Sequence, residues 1–319
     1  MGRRAMGNSI ALGTTLAVTW MLSFVGQVAL RRTLGTSDVG TVAFYESLTA
    51  LAVTMIAFGV ETHIRREVAI NPSRALEFAL PLVRLRLLLG TALVAGFVIA
   101  ATLSHSETEV VVLAGITAAS QVVVMLGTTG AAYLHAVQRV RGVTVSSLVT
   151  KMVWLLVLLA VLTDARTALV AAPVALLSGE VVRVIWLGRL FRREIGRPRP
   201  GTLGQAVSVM RASLPYHLDG LNQAFTASAI PALLGWFAAR PEVGLYATAS
   251  QLMSIPFFFL PVMLWVLPPV FSRLHADDPE RMQAAARRLT LCAIPALIPV
   301  AAVVVIGAEP VTRLLYGDD

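Results

Sequence analysis

The sequence has little of what a soluble protein or a metalloenzyme requires. It contains one cysteine, Cys292, so neither an intrachain disulfide nor a cysteine-based metal cluster can form. Charged residues make up only 14% of the chain and aromatic residues 7%, whereas hydrophobic residues reach 56% and the mean hydropathy is +0.75. The signatures of nucleotide-binding loops, zinc proteases, serine hydrolases and dinucleotide-binding folds are also absent. We therefore expect a membrane protein that is not an enzyme and needs no cofactor or metal.

Long apolar segments are what the sequence has in abundance. Each is near the roughly 20 residues that cross a bilayer as a helix, and short polar connections separate them. About nine such segments occur, at residues 8–30, 39–60, 77–103, 110–133, 144–163, 167–190, 212–238, 243–271 and 287–307. Because backbone polar groups in hydrocarbon must be satisfied internally, the sequence predicts an all-α polytopic membrane helix bundle. Segment 8–30 is also too long for a cleavable secretory signal.

The basic residues are unevenly distributed over the connections. If successive segments alternate in direction, 21 of the 26 lysine and arginine residues fall on one side and five on the other. The five are Arg31, Arg32, Arg166, Arg240 and Arg313. By the positive-inside rule, this bias predicts a multi-pass protein of the cytoplasmic membrane whose N-terminus is cytoplasmic. The net charge of +8 then favours anionic membrane lipids as partners, and we expect no binding of nucleic acid.

A basic connection after the sixth segment divides the chain. Residues 191–205, FRREIGRPRPGTLGQ, contain Pro198 and Pro200, which disfavour a continuous helix. The composition is typical of a linker, although a merely long loop is the alternative. We predict a six-helix lobe at residues 1–195 and a partial lobe of about three helices at residues 196–319.

An internal repeat supports this division. Residues 34–47 match residues 238–251 at a constant offset of 204, which aligns Asp38 with Glu242 and Gly40 with Gly244. Both copies follow an odd-numbered segment and open the next helix, where the glycine permits close approach of another backbone. Because the copies have the same orientation, they predict parallel repeats about an axis along the membrane normal.

These motifs resemble a known family. The stretches LGTSDVG at residues 34–40, THIRREVA at 62–69, PEVGLYATA at 241–249 and LLYGD at 314–318 are similar to those of the polysaccharide or oligosaccharide flippases of the MATE-like exporter superfamily. The resemblance implies two lobes around a polar cavity and the outward flipping of polyprenyl-diphosphate-linked oligosaccharides by alternating access. Members of that family have twelve or more spans. The resemblance therefore implies either a shortened chain or a second chain that completes the C-terminal lobe.

Polar residues at membrane depth are the candidate functional positions, because each is costly unless it faces a cavity or a partner. The seventh segment carries Asp219, Asn222, Gln223 and Thr226 on one helical face. We interpret this face as a cavity wall that hydrogen-bonds sugar hydroxyls, with Asp219 also a candidate for ion coupling. The alternative is hydrogen bonding between helices that only holds the bundle together.

Three further sets of candidates follow. An offset of 204 aligns Thr15 with Asp219 and Thr19 with Gln223, which predicts facing polar stripes on the two lobes. The alternative is that these threonines bond to their own backbone, as threonines in membrane helices often do. Glu46 lies inside the second segment and could couple an ion or pair with Arg31 or Arg32. Glu180 has Arg183 at i+3, which predicts a structural ion pair.

A diphosphate needs cationic donors, and the arginine fork suits its oxygens. The candidates are Arg65 and Arg66 at the inner end of the second segment and Arg273 near that of the eighth. Each could instead be an interfacial anchor. A drug or small-molecule antiporter of the same superfamily is the second functional hypothesis, and a membrane enzyme or non-transporting scaffold is the third.

Overall fold

The structure is a computed structural model that describes residues 2–104, 107–163 and 165–257, together with residues 282–284, 287, 288, 291, 295, 299, 302 and 306. Arg273 and most of the predicted ninth segment lie outside the described residues, as does the side chain of Asp219.

Within the described residues the chain is helical and contains no strand, which confirms the all-α prediction. The helices are α1 (Gly2–Thr33), α2 (Thr36–Ala57), α3 (Val60–Ile70), α4 (Arg74–Leu103), α5 (Thr108–Ala136), α6 (Val140–Val161), α7 (Ala165–Glu194), α8 (Leu203–Phe237) and α9 (Arg240–Phe257). Five of them, α2 and α4 to α7, are long and apolar enough to cross a membrane. The chain is therefore a multi-pass membrane protein.

The second predicted segment is broken near its end. Phe58 and Gly59 both have a positive φ, of 54° and 62°, so the α2 helix ends there and α3 starts as a separate short helix. A side chain at Gly59 would also lie within 3.0 Å of the backbone of Tyr216 and His217. Glycine is required at this position because both its backbone conformation and its space exclude a Cβ. The sequence prediction of one helix through residue 60 was wrong here.

The predicted linker is shorter than residues 191–205. Helix α7 continues to Glu194, and α8 begins at Leu203, nine residues before the predicted segment. A capping box fixes this start, since the Thr202 side chain accepts from the Gln205 backbone and the Gln205 side chain accepts from the Thr202 backbone. The residues between the helices include Pro198 and Pro200, as expected.

Helix packing divides the chain into two units, Met1–Val28 with Thr248–Asp319, and Ala29–Ala247. The larger unit holds a core of buried apolar residues from α2, α5, α6 and α7, which includes Phe44, Leu113 and Trp154. A second core joins α3 to α4, α5 and α8 through residues such as Ile64 and Leu82. The predicted lobe boundary between residues 195 and 196 stays a prediction.

One end of the larger unit collects most of its arginines. Arg139 before α6 pairs with Glu194 at the end of α7 at 2.8 Å, and the backbone N–H of Arg199 donates to the Leu76 carbonyl at 2.7 Å. Together with the second core, these contacts bring together α3, the start of α4, the end of α5, the start of α6, the end of α7 and the start of α8. We call this the arginine-rich end. The opposite end contains the starts of α2 and α9.

Candidate functional site

The two copies of the sequence repeat contact each other at the end opposite the arginine-rich end. A Cβ on Gly40 would overlap the carbonyl of Arg240 and lie 2.9 Å from the nitrogen of Gly244, and a Cβ on Gly244 would overlap the carbonyl of Thr36. These two contacts are related by the same offset of 204, because residues 36 and 40 correspond to 240 and 244. Both copies therefore begin at the same end of the bundle, as a parallel repeat requires.

Arg240 adds a second contact beside these glycines. Its guanidinium lies 4.1 Å from the centroid of the buried Phe44 ring, and its Nη1 donates to the Gly235 carbonyl at 3.1 Å. This cation–π contact joins the start of α9 to α2. The sequence analysis counted Arg240 among the basic residues of the connections. In the structure Arg240 is thus a packing residue between the two halves of the chain.

At the arginine-rich end, Arg66 joins α3 to α8. The Arg66 side chain is exposed, and its Nη1 donates to the Tyr216 hydroxyl at 3.0 Å. Arg65 is exposed on the same helix. The guanidinium has five N–H donors and uses one of them for Tyr216, so the remaining donors can bind an anion.

Two histidines lie beside this arginine. The His63 ring is 6.4 Å from that of Tyr216, and Phe58 stacks on His217 with centroids 5.0 Å apart. Burial lowers the pKa of His63, which lies on α3 outside the five apolar spans; Glu67 opposes the shift, and Arg74 and Arg66 add to it. His63 is therefore neutral at physiological pH and does not compete with Arg66 for an anion.

The predicted polar face of α8 is exposed to the extent that the structure describes it. Asn222, Gln223 and Thr226 are all exposed, and the Thr226 hydroxyl donates to the Asn222 carbonyl at 2.9 Å. Each of the three side chains retains acceptor or donor capacity for a ligand. Their role in substrate binding stays a prediction.

The threonine pair on α1 belongs to the smaller unit. The Thr19 hydroxyl donates to the Thr15 carbonyl at 2.9 Å. Such a bond to the helix backbone is the alternative to a sugar contact that the sequence analysis left open. That geometry satisfies the Thr19 proton inside its own helix. It leaves the predicted role of Thr15 and Thr19 in substrate binding a prediction.

A buried ion pair that the sequence analysis missed lies between α3, α4 and α5. Arg86 is only 1% exposed, and its Nη1 donates to Glu61 Oε1 at 2.7 Å, to the Met125 carbonyl at 3.1 Å and to the Thr129 hydroxyl. Its Nη2 donates to the Ala57 carbonyl at 3.0 Å, at the break between α2 and α3. The count of basic residues included Arg86 with those of the connections, whereas the structure buries it within helix α4.

A second group of charges lies near the middle of three apolar helices. Glu46 on α2 and Glu180 on α7 both interact electrostatically with Lys151 on α6. Arg183 pairs with Glu180 at 3.2 Å, which confirms the predicted i, i+3 pair. Gly127 makes room for this pair, because a Cβ there would lie 3.0 Å from Glu180 Oε2. Glu46 also interacts with Arg31, one of its two predicted arginine neighbours.

The sequence held a weak signal for both groups. Each contains a basic residue well inside an apolar helix, as Arg86 is within α4 and Lys151 within α6. Ionisable residues at such positions pair with one another or line a cavity. The partners could not be chosen from sequence, because Glu61 and Arg86 are joined only when α3 packs on α4 and α5.

We expect Asn222→Cys, in a Cys292→Ala background, to react with a membrane-impermeant thiol reagent in intact membranes. The reason is that an amide exposed on a membrane helix is stable in water and costly in lipid. Leu156→Cys is the matched control, since Leu156 is 65% exposed on the apolar helix α6 and should not react. Absence of labelling at Asn222 in any transport state would support helix packing instead of a cavity.

Comparisons with known proteins agree with this architecture. The sequence model of a family described as polysaccharide biosynthesis protein matches residues 6–275. A comparison with curated proteins found no match. Among solved structures, an inward-facing multidrug resistance MATE family transporter of the MOP superfamily is 15% identical with a TM-score of 0.70, and the match covers 96% of this chain and 75% of that one.

Further MATE structures are also similar. One in a bent conformation gives 14% identity, a TM-score of 0.58 and coverage of 97% and 75%, and one in complex with MaD3S gives 14%, 0.60 and the same coverage. At such identities the likeness shows a shared fold and does not show a shared substrate.

Proposed function

The chain belongs to the polysaccharide biosynthesis protein family, and from this membership we propose that it flips a polyprenyl-diphosphate-linked oligosaccharide across the cytoplasmic membrane by alternating access. Family and fold together make it a membrane exporter or flippase. The proposal adds three points: the transported substrate, the position of the arginine-rich end on the cytoplasmic side, and the cytoplasmic membrane as the location of the protein.

The observation that supports this substrate most is the contact between Arg66 and Tyr216. It places an exposed guanidinium between α3 of the first half and α8 of the second, at the arginine-rich end. A diphosphate carries at least two negative charges and accepts the planar arginine fork. Arg65, and Arg273 beyond the described residues, are the further candidates for this head-group site.

The sugar and the driving ion would engage other residues. Asn222, Gln223 and Thr226 on α8 offer amide and hydroxyl groups for an oligosaccharide, as does Asp219 through its sequence position on the same helix. Glu46 is the proposed coupling residue of the described chain, because it lies deep in α2 within electrostatic reach of Lys151. Loss or gain of a proton at such a carboxylate would change its attraction to that lysine.

Transport by the full chain in proteoliposomes tests the substrate. We expect Arg66→Ala to weaken the apparent affinity for a polyprenyl-diphosphate oligosaccharide roughly tenfold or more, since a charge-assisted hydrogen bond is lost. Arg66→Lys should restore part of the affinity, because the charge remains and the fork is lost. Tyr216→Phe should give a smaller defect.

Arg197→Ala is the matched control. Arg197 is exposed in the segment between α7 and α8, and its replacement removes the same charge at the same end. Wild-type affinity in Arg66→Ala would show that Arg66 is only an interfacial anchor. Equal defects in the two variants would point to general attraction by the basic surface.

An ion-coupled drug antiporter is the second candidate function. The mid-helix carboxylates Glu46 and Glu180 favour it, because proton-coupled transport of cations requires acidic residues at membrane depth. Proteoliposomes that move a cationic dye against a proton gradient, and that do not move the lipid-linked oligosaccharide, would establish the antiporter and exclude the flippase.

A further inference from the structure

A groove between α6 and α7 lies apart from the proposed transport site. It has a volume of about 580 Å³ and opens on the outside of the helix pair. Its apolar part is formed by Val145 on α6 and by Val182, Ile185 and Trp186 on α7. Three of these side chains, Val145, Ile185 and Trp186, are at least 40% exposed, although they belong to helices apolar enough to span a membrane.

Three arginines line the end of the groove that lies at the arginine-rich end. Arg141 comes from the start of α6, and Arg189 and Arg193 lie one turn apart near the end of α7. Glu194, the nearby carboxylate, is already paired with Arg139 at 2.8 Å and lies 3.8 Å from Arg193. Within the described residues no carboxylate forms an ion pair with Arg189. Arg189 therefore adds a positive charge to this end of the groove that no ion pair among the described residues offsets.

The dimensions of the groove correspond to one leaflet. From Arg193 to Val182 the α7 helix rises by roughly 16 Å, about half of the ~30 Å hydrocarbon thickness of a bilayer. Trp186 is the residue of the apolar part nearest to Arg189 along α7, about one helical turn away, and tryptophan is enriched at membrane interfaces. The groove thus has cationic donors where a lipid head group lies and apolar side chains where its acyl chain lies.

We propose that the groove between α6 and α7 binds an anionic phospholipid, with Arg141, Arg189 and Arg193 on its phosphate and an acyl chain along Val145, Val182 and Trp186. Basic pockets between membrane helices hold such head groups. A soluble phosphate would leave the apolar part of the groove empty, and a protein partner would have to displace lipid from it. This site is separate from Arg66 and from the polar face of α8.

Quenching of tryptophan fluorescence by a brominated lipid measures occupancy directly. The full chain, in neutral detergent, is titrated with phosphatidylglycerol that carries bromine on its acyl chains, and with brominated phosphatidylcholine for comparison. The chain has five tryptophans, so the difference between wild type and Trp186→Phe isolates the signal of Trp186. We expect phosphatidylglycerol to quench Trp186 at a lower concentration than phosphatidylcholine does.

The triple variant Arg141→Gln, Arg189→Gln and Arg193→Gln should remove this preference. Each basic residue at an anionic membrane surface is worth roughly a fivefold change in affinity, so three should give a loss on the order of a hundredfold. A matched triple variant with the same loss of charge outside the groove, Arg84→Gln, Arg192→Gln and Arg197→Gln, should keep the preference. Val145→Phe, which fills the groove without changing charge or adding a tryptophan, should abolish quenching of Trp186 by either lipid.

Three results would overturn the proposal. Equal loss of affinity in both triple variants would show general electrostatic attraction, and an unchanged preference in the groove variant would place the lipid elsewhere. If Val145→Phe still bound phosphatidylglycerol with wild-type affinity, the arginines would hold an anion without an acyl chain. Competition by excess glycerol 3-phosphate at millimolar concentration would identify that soluble anion as the ligand.

Discussion

Replacing Arg86 with alanine is expected to lower the free energy of unfolding by about 3 to 5 kcal/mol, the usual cost of removing one partner of a buried ion pair. The reason is that Glu61 would lose its only ion-pair partner among the described residues. The carbonyls of Ala57 and Met125 would also lose a donor. Unfolding of the purified protein in detergent, followed by circular dichroism, measures the change.

Arg84→Ala is the control for this substitution. Arg84 is exposed on the same helix, two residues away, and its replacement should change the free energy of unfolding by less than about 0.5 kcal/mol. The double variant Glu61→Gln with Arg86→Met should be more stable than Arg86→Ala, because no unpaired buried charge remains. If Arg86→Ala and Arg84→Ala unfolded at the same denaturant concentration, the ion pair would contribute nothing to stability.

Replacing Gly40 or Gly244 with alanine is expected to destabilise the protein by about 1 to 3 kcal/mol, as overpacking does in other cores. At each site the new methyl group would meet backbone of the other repeat, which cannot rotate away as a side chain can. Because the two contacts are related by the repeat, the two variants should have similar effects. The double variant should cost less than the sum, since one separation of the α2 and α9 helices relieves both clashes.

Gly96→Ala is the matched control on α4. No atom lies within 4 Å of a Cβ placed there, so the alanine should be neutral or should stabilise the helix by up to about 1 kcal/mol. Thermal unfolding monitored by tryptophan fluorescence gives all four values. Additive effects of Gly40→Ala and Gly244→Ala would mean that the helices adjust separately at the two positions.

Several features of this protein were predictable because their causes are local. The length and apolar composition of each segment predict a membrane helix, and the described helices agree, apart from their ends, with the first seven predicted segments and with the described part of the eighth. Pro198 and Pro200 predict that the helix is interrupted between α7 and α8. The capping box at Thr202 could also have predicted where α8 begins. The break at Phe58 and Gly59 was missed, since a single glycine in an apolar segment does not by itself stop a helix.

The repeat shows how far sequence comparison can extend. A constant offset of 204 related Gly40 to Gly244 without any knowledge of the fold, and the structure places these two glycines in contact. The offset could not show that the copies touch each other, because two parallel repeats may also be separated by a cavity. That contact depends on the distance and rotation between α2 and α9.

The sequence alone thus determined the helices, the family and the parallel relation of the repeats, because these follow from composition, period and order along the chain. Only the tertiary structure decided which charges meet. It buried Arg86 against Glu61, brought Lys151 within electrostatic reach of Glu46 and Glu180, and joined Arg66 to Tyr216. Hydropathy reports how apolar a helix is, whereas the partner of a charged side chain depends on how each helix is rotated and on which helix packs beside it.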